Sequence, residues 1–363
     1  MYLRIPNLLS RWRWKGKINP LHEDVSAEGN AWFRSFAPLT PKSQHAFDLC
    51  TFGLFAGLLL PDAGRVSLAE HLRTCLDIVN VFFIIDEYTD VQSTHVVRDM
   101  MTSCTDAIRN PHIPRPEGET VLGEIVRQFW ERASRLSTPE GSLRFVDCFT
   151  QYCESVIQVA EWRNDGSAAL TIDEYVTIRI RDAGVLPTQA ICGLHLSIPQ
   201  HVFLDSVVSD IMRISCELTI IDNDITSYNR EQADGIGAFN IVTVIMRSLG
   251  LSLDGAIDWL EQRNEVLVDT FYAQLEAVPS FGPQVDAQLR EYLDYVGNTR
   301  RAVWDWSFVS GRYFGDRGLD YAKTGLVPLI PAKTRNNTET VVEVLIMEEE
   351  LAKWDGAGLG KAA

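Results

Sequence analysis

Residues 66–90 read VSLAEHLRTCLDIVNVFFIIDEYTD, and the fold follows from this stretch. Leu72, Leu76, Val79, Phe82, Phe83 and Ile84 recur at three- and four-residue steps, the period of an α-helix. Ser67 and Glu70 stand at the spacing of a capping box, which starts the helix. The apolar run Val81–Ile85 then ends in Asp86-Glu87-Tyr88-Thr89-Asp90. A helix this apolar lies inside a bundle, and Asp86 and Asp90, four apart, share one face at its end.

The same period extends along most of the chain. Helices are predicted over roughly 41–60, 94–109, 119–137, 139–163, 171–182, 203–229, 239–249, 254–277 and 284–310. Thr171 and Glu174 form a second capping-box pair, and Ala183-Gly184-Val185-Leu186-Pro187 interrupts the pattern just beyond Asp182. Strand signals are weak, no fixed-period repeat appears, and no long linker divides the chain. The expected architecture is all-α: an irregular segment over 1–40 capping the core, one helical domain over 41–332, and a tail over 333–363 with an acidic amphipathic stretch at Thr338–Trp354.

Composition narrows the function. Of 363 residues, 46% are hydrophobic, enough for a large core, and the net charge is −16. That charge repels a phosphodiester backbone, so nucleic-acid binding is not expected. It neither requires nor forbids a dimer. The longest apolar runs are too short to insert across a membrane. Seven scattered cysteines without a Cys-x-x-Cys pair fit reduced thiols and a cytoplasmic location.

Two constellations carry chemistry. Asp86 and Asp90 repel one another by up to about 0.5 kcal/mol even in water, and a hard divalent cation reverses that repulsion. Taken alone, the pair also reads as a solvated acidic helix end. The second constellation is Asn223-Asp224-Ile225-Thr226-Ser227-Tyr228-Asn229-Arg230-Glu231. Asn223, Ser227 and Glu231 fall at i, i+4 and i+8, and each step turns a helix by only about 40°, so three oxygen donors share a stripe. An amide, a hydroxyl and a carboxylate make a site for one hard cation, and Arg230 could meet an anion held there. Two such sites facing each other over an apolar interior would clamp a diphosphate while its hydrocarbon lies in the core.

On these residues the sequence resembles the class I terpene synthases, especially the sesquiterpene synthases of basidiomycete fungi. Asp86-Glu87-x-x-Asp90 is similar to their aspartate-rich motif, and Asn223-Asp224-x-x-Ser227-x-x-x-Glu231 to their second metal motif. Arg312-Tyr313-Phe314-Gly315 resembles their late Arg-Tyr element, and Tyr175-x-x-x-Arg179 with Gly184 and Pro187 the segment that senses diphosphate. The resemblance implies a helical bundle around an apolar cavity and three Mg²⁺ ions, with Asp86 and Asp90 binding two and Asn223, Ser227 and Glu231 the third. It implies Arg179, Arg230, Arg312 and Tyr313 as donors to the diphosphate, Asp182 as the link from Arg179 to the helix break, and Ala183 as a carbonyl facing the cation. The implied substrate is a prenyl diphosphate, farnesyl diphosphate above others, and the sequence is similar to the branch making humulyl-derived skeletons such as protoilludene.

Phe82 and Trp306 are candidates for the cavity wall, where aromatic faces stabilise a cation by ~0.5–2 kcal/mol each. Phe83, Trp304 and Phe308 are nearby aromatic residues that plain core packing also explains. A chain-elongating prenyltransferase would carry a second Asp-rich motif where Asn223, Ser227 and Glu231 stand. A protonation-initiated cyclase would need Asp-x-Asp-Asp, which is absent, and a retired binder would show degraded motifs. Substrates of ten or twenty carbons stay open beside fifteen.

Overall fold

The computed structural model describes residues 1–62, 68–164 and 170–332. Within them the chain is helical almost throughout. The N-terminal helices are α1 (His22–Arg34), α2 (Pro41–Asp48) and α3 (Phe52–Leu59). Next come α4 (Leu68–Thr89), α5 (Thr94–Arg109), α6 (Val121–Ala133) and α7 (Pro139–Asn164). The second half holds α8 (Ile172–Asp182), α9 (Val185–Cys192), α10 (Gln200–Phe203) and α11 (Ser206–Asp234). It closes with α12 (Ile241–Leu249), α13 (Leu253–Glu276), α14 (Pro283–Val309) and α15 (Gly318–Thr324). Residues Ser67, 165–169 and 333–363 lie outside the described set, so the first capping box and the tail are not described further. The Thr171–Glu174 capping box is present in full at the start of α8.

The central helix α4 is buried around most of its circumference: Leu72, Leu76, Val79, Val81 and Ile84 are at most 1% exposed. It packs against α1, α3, α6 and α9, as an all-round apolar helix must. Opposite it, α11 packs against α13 and α14. Just ahead of the second motif, Arg300 of α14 grips Asp222 of α11 through Nε (2.7 Å) and Nη2 (2.9 Å), both side chains fully buried. That bidentate pair sets the register of α14 against α11.

Three features depart from the sequence expectations. Residues 1–40 are not irregular throughout, because α1 occupies 22–34. Its buried stripe is Val25, Gly29 and Phe33, and a Cβ at Gly29 would stand 2.4 Å from Leu76 Cδ2. Glycine lets α1 approach α4 closely, and its missing side chain erases the apolar signal. The helix expected over 41–60 is broken at 49–51, where Thr51 takes the left-handed conformation (φ 50°). The break leaves Leu49 O to accept from Gly311 N (3.0 Å) and Cys50 O to accept from Trp306 Nε1 (2.7 Å). The third departure is a short antiparallel sheet joining the start of the chain to the segment after α15, β1 (Tyr2–Arg4) with β2 (Leu326–Pro328). No described helix is long and apolar enough to cross a membrane.

Candidate active site

A cleft opens between the ends of α4, α8, α11 and α14, holding about 950 Å³ of empty space counted out through its mouth. Asp86, Arg179, Asp182, Ala183, Asn223, Arg230, Glu231, Arg312 and Tyr313 line its polar side. Phe82 and Trp306, the two wall residues picked from the sequence, line it as well. Ser227 and Asp90 are not among the lining residues.

Asp90 still follows Asp86 in helical register, its N–H donating to Asp86 O at 3.1 Å, and lies at the exposed rim. Desolvation and the neighbouring Asp86 charge push its carboxyl well up, while Arg163 stands 3.8 Å away. Asp86 Oδ2 accepts from Arg312 Nη2 at 3.2 Å, and Glu87 lies 3.9 Å from the same guanidinium. Arg312 also lies over the Phe83 ring, 4.4 Å from its centroid.

On the facing helix α11 runs on to Asp234, so the whole second motif is helical. Asn223 Nδ2 donates to Tyr313 OH (3.1 Å), and Asn223 Oδ1 accepts from Arg179 Nη2 (3.2 Å). Ser227 is buried beneath Glu231, whose carboxyl is raised by burial and by the Asp224 charge. The sequence reading missed Asn240, the residue that caps α12. Its Nδ2 donates to Asp224 O and to Glu231 Oε2, both at 2.9 Å. Its Oδ1 accepts from Val242 N at 2.9 Å as the cap of α12, and its reach to Glu231 is a tertiary fact. Asp224, next to Asn223, turns away from the cleft: Tyr175 OH and Ile241 N–H donate to it, the latter at 2.9 Å.

The helix break supplies the third side. Arg179 Nη1 donates to Asp182 Oδ2 at 3.0 Å, and Arg181, the other arginine of the segment, is exposed. Burial raises the Asp182 carboxyl, with Arg179 opposing. Gly184 takes a left-handed conformation (φ 68°) between α8 and α9. Four residues after Ala183 stands Pro187, which has no N–H, so the Ala183 carbonyl lacks its helical donor. A carbonyl freed in this way keeps its dipole for the cleft that Ala183 lines.

Below the polar rim two aromatic walls face the cavity. Phe82 meets Tyr152 edge-on at 4.9 Å. Trp306 stacks on Phe55 at 4.8 Å and is tilted against Phe83 at 5.5 Å. Trp304 and Phe308 do not line the cleft; Phe308 stacks on Phe314. Tyr152, unmarked by any sequence motif, is a lining residue that only the packing reveals.

The donor set fits a hard divalent cation, since every candidate ligand offers oxygen: carboxylates at Asp86, Asp90 and Glu231, an amide at Asn223, a hydroxyl at Ser227. Among the described residues no three His, Cys, Asp or Glu side chains form a metal cluster by themselves. The buried Nε atoms of Arg179, Arg230 and Arg312 have no hydrogen-bond partner among the described residues, and all three residues line the cleft. Guanidinium groups and aromatic side chains lining one cavity suit a molecule that is anionic at its head and apolar along its length.

A prenyl diphosphate has that shape, and an enzyme that removes the diphosphate and shelters the resulting cation is a class I isoprenoid synthase. A family model described as terpene synthase family 2, C-terminal metal binding, matches residues 77–269. Sesquiterpene synthase 14 of Postia placenta is 42% identical over 342 residues, covering 94% of this chain and 96% of its own. Delta(6)-protoilludene synthase 18 of the same fungus is 44% identical over 344 residues, covering 95% and 97%. The chain belongs to the terpene synthase family, as a divalent-metal enzyme of class I acting on prenyl diphosphates. Its fold is shared with a hedycaryol synthase solved in complex with nerolidol, at TM-score 0.69 and 17% identity over 83% of this chain and 99% of that one.

Proposed function

We propose that this protein is a Mg²⁺-dependent sesquiterpene cyclase that ionises farnesyl diphosphate and closes the fifteen-carbon cation into a polycyclic sesquiterpene. The observation that carries the reading is the division of one cleft between three arginines with unspent Nε donors and two aromatic walls. The names of the relatives, sesquiterpene synthase and delta(6)-protoilludene synthase, support fifteen carbons and a protoilludene-type skeleton.

In this reading Asp86 and Asp90 hold two ions, and Asn223, Ser227 and Glu231 a third. When bound, the ions neutralise the diphosphate oxygens and weaken the carbon–oxygen bond. Arg179, Arg230, Arg312 and Tyr313 donate to those oxygens from fixed positions, so the charge of the departing group meets preorganised donors. Asp182 orients Arg179 from 3.0 Å. The Ala183 carbonyl presents its negative end to the cation. Phe82, Tyr152 and Trp306 are the ring systems offered to the cation as it moves along the chain, and their apolar bulk, with that of Phe83, excludes water that would quench it.

The test is gas chromatography–mass spectrometry of volatiles from purified protein, Mg²⁺ and farnesyl diphosphate, with an EDTA control. A cyclic fifteen-carbon product that vanishes with EDTA supports the reading. Turnover of geranyl or geranylgeranyl diphosphate in place of farnesyl diphosphate would overturn the chain length, and binding without any product would leave a retired binder.

A further inference from the structure

The segment that carries Arg312 and Tyr313 is fastened at both ends. At its start Gly311 N–H donates to Leu49 O at 3.0 Å. Past α15 the chain turns at Gly325 (φ 68°), and β2 runs beside β1, with Ile5 N donating to Gly325 O (2.8 Å) and Leu329 N to Met1 O (3.1 Å). The far end meets α11 through a single buried side chain. Asn229 Nδ2 donates to Pro328 O at 3.0 Å, and Asn229 Oδ1 accepts from Ile330 N at 2.9 Å. Those are the two bonds a neighbouring strand would make, supplied here by one amide. Gln232 adds a third, donating through Nε2 to Ile330 O at 2.7 Å.

Asn229 sits two positions after Ser227 and two before Glu231, about 200° around the helix from each, so it occupies the face opposite the candidate ligands. The segment it anchors has already bridged both motifs: Arg312 donates to Asp86 at 3.2 Å, and Tyr313 OH accepts from Asn223 at 3.1 Å. A closed circuit results, from α11 through Tyr313 and along the chain through α15 and β2 back to α11, with Arg312 tying it to α4. We infer that Asn229 is a positioning residue: it fixes the strap carrying Arg312 and Tyr313 to the back of the helix carrying Asn223, Ser227 and Glu231, holding the diphosphate donors in register with the ligand stripe. The inference rests on the function proposed above.

An amide that anchors a terminal segment also stabilises the fold, so the test needs a matched control. Asn19 is one: it is fully buried, its Nδ2 donates to Leu60 O at 2.7 Å, and its Oδ1 accepts from Leu21 N at 3.0 Å. It lies outside the cleft. Full-length Asn229→Ala and Asn19→Ala would be compared by two readouts. One is the rise in Tm on titrating inorganic pyrophosphate with Mg²⁺; the other is steady-state kinetics with farnesyl diphosphate.

Asn229→Ala should raise both the half-saturating pyrophosphate concentration and KM by about tenfold, the scale of one or two lost amide bonds, with a smaller change in kcat. Asn19→Ala should lower Tm and leave both midpoints in place. Ile330→Pro deletes the N–H that Asn229 accepts and leaves α11 unaltered; it should move the midpoints in the same direction, and it serves if Asn229→Ala fails to fold. Equal effects from the Asn229 and Asn19 variants, or a loss of Tm alone, would overturn the inference. Pyrophosphate protection of the wild type without turnover of farnesyl diphosphate would sink the proposed function and still leave the pyrophosphate comparison to decide the role of Asn229.

Discussion

Arg179 Nη2 donates to Asn223 Oδ1 at 3.2 Å, joining helices whose partners lie 44 positions apart in sequence. The same amide oxygen is a candidate cation ligand, and the same guanidinium is a candidate diphosphate donor. Arg312 and Asp86 repeat the arrangement at 3.2 Å on the opposite side of the cleft. In the function proposed above, binding a metal diphosphate would exchange each arginine–oxygen contact for an arginine–phosphate and an oxygen–metal contact. Without a ligand the site thus occupies each of these oxygens with an arginine, as an ion pair at Asp86 and as a hydrogen bond to a neutral amide at Asn223.

Removing either oxygen should silence the enzyme without unfolding it. Asp86→Ala and Asn223→Ala are each expected to lose at least about a hundredfold in turnover, as loss of a charge-stabilising contact does. Far-UV circular dichroism should stay helical. Chelation of divalent metal should match these variants in turnover, measured as volatile product. A near wild-type rate from either variant would refute the two-motif clamp.

Arg179 separates charge from geometry. Asp182 and Asp224 both depend on it, at 3.0 and 3.5 Å. Arg179→Met removes the counter-charge of half-buried Asp182 and of buried Asp224, which keeps only its Tyr175 and Ile241 donors, and should cost about 3 kcal/mol in urea unfolding. Arg179→Lys keeps the charge and loses the planar fork, so it should fold better than the methionine variant while kcat/KM falls by roughly a hundredfold. Equal stability of the two variants would argue against Arg179 as the counter-charge of this cluster.

The helix break and the aromatic wall are coupled at Gly184. A Cβ there would lie 3.4 Å from the Phe82 ring, on a backbone at φ 68°. Gly184→Ala should destabilise the fold by about 1 kcal/mol or more and press on the Phe82 ring. Phe82→Ala should alter the product mixture more than the rate. The two variants should each change the proportions of products seen by gas chromatography; an unchanged profile from both would return Phe82 to plain core packing.

Far from the cleft, His71 at the start of α4 should shape stability against pH. Burial holds its imidazole down to about 4, against 6.5 ordinarily, although Nε2 pairs with Ile191 O at 2.8 Å. The folded chain thus takes up this proton at lower pH than the unfolded chain. Stability from the neutral ring is complete above about pH 6.5 and is lost as pH falls toward about 4. Urea midpoints measured across that window should fall for the wild type and fall less steeply for His71→Gln. Parallel curves would remove His71 as the cause.

Long buried helices were the most legible elements. The run from Leu72 to Ile85 announces α4 because apolar residues on nearly every side require burial on nearly every side. Helix α1 was hidden because one of its three buried positions is Gly29, whose role is to be absent. The break at Thr51 has no proline or glycine to mark it; two tertiary acceptors, Leu49 O and Cys50 O, use the carbonyls that the break releases.

At the site, the sequence alone determined which residues share a helical face. Asp86 with Asp90, and Asn223 with Ser227 and Glu231, follow from the 3.6-residue turn, a local property that needs no knowledge of the rest of the chain. Packing between helices settled which of these face one cleft, that Asp90 is exposed and Ser227 buried with neither lining it, and that Tyr152 joins Phe82 while Phe308 does not. It also brought Asn240 to Glu231 and Asn229 to the returning C-terminal strand. Periodicity describes a helix's own surface, whereas the partner of that surface is chosen by packing among elements distant in sequence, and no local repeat records that choice.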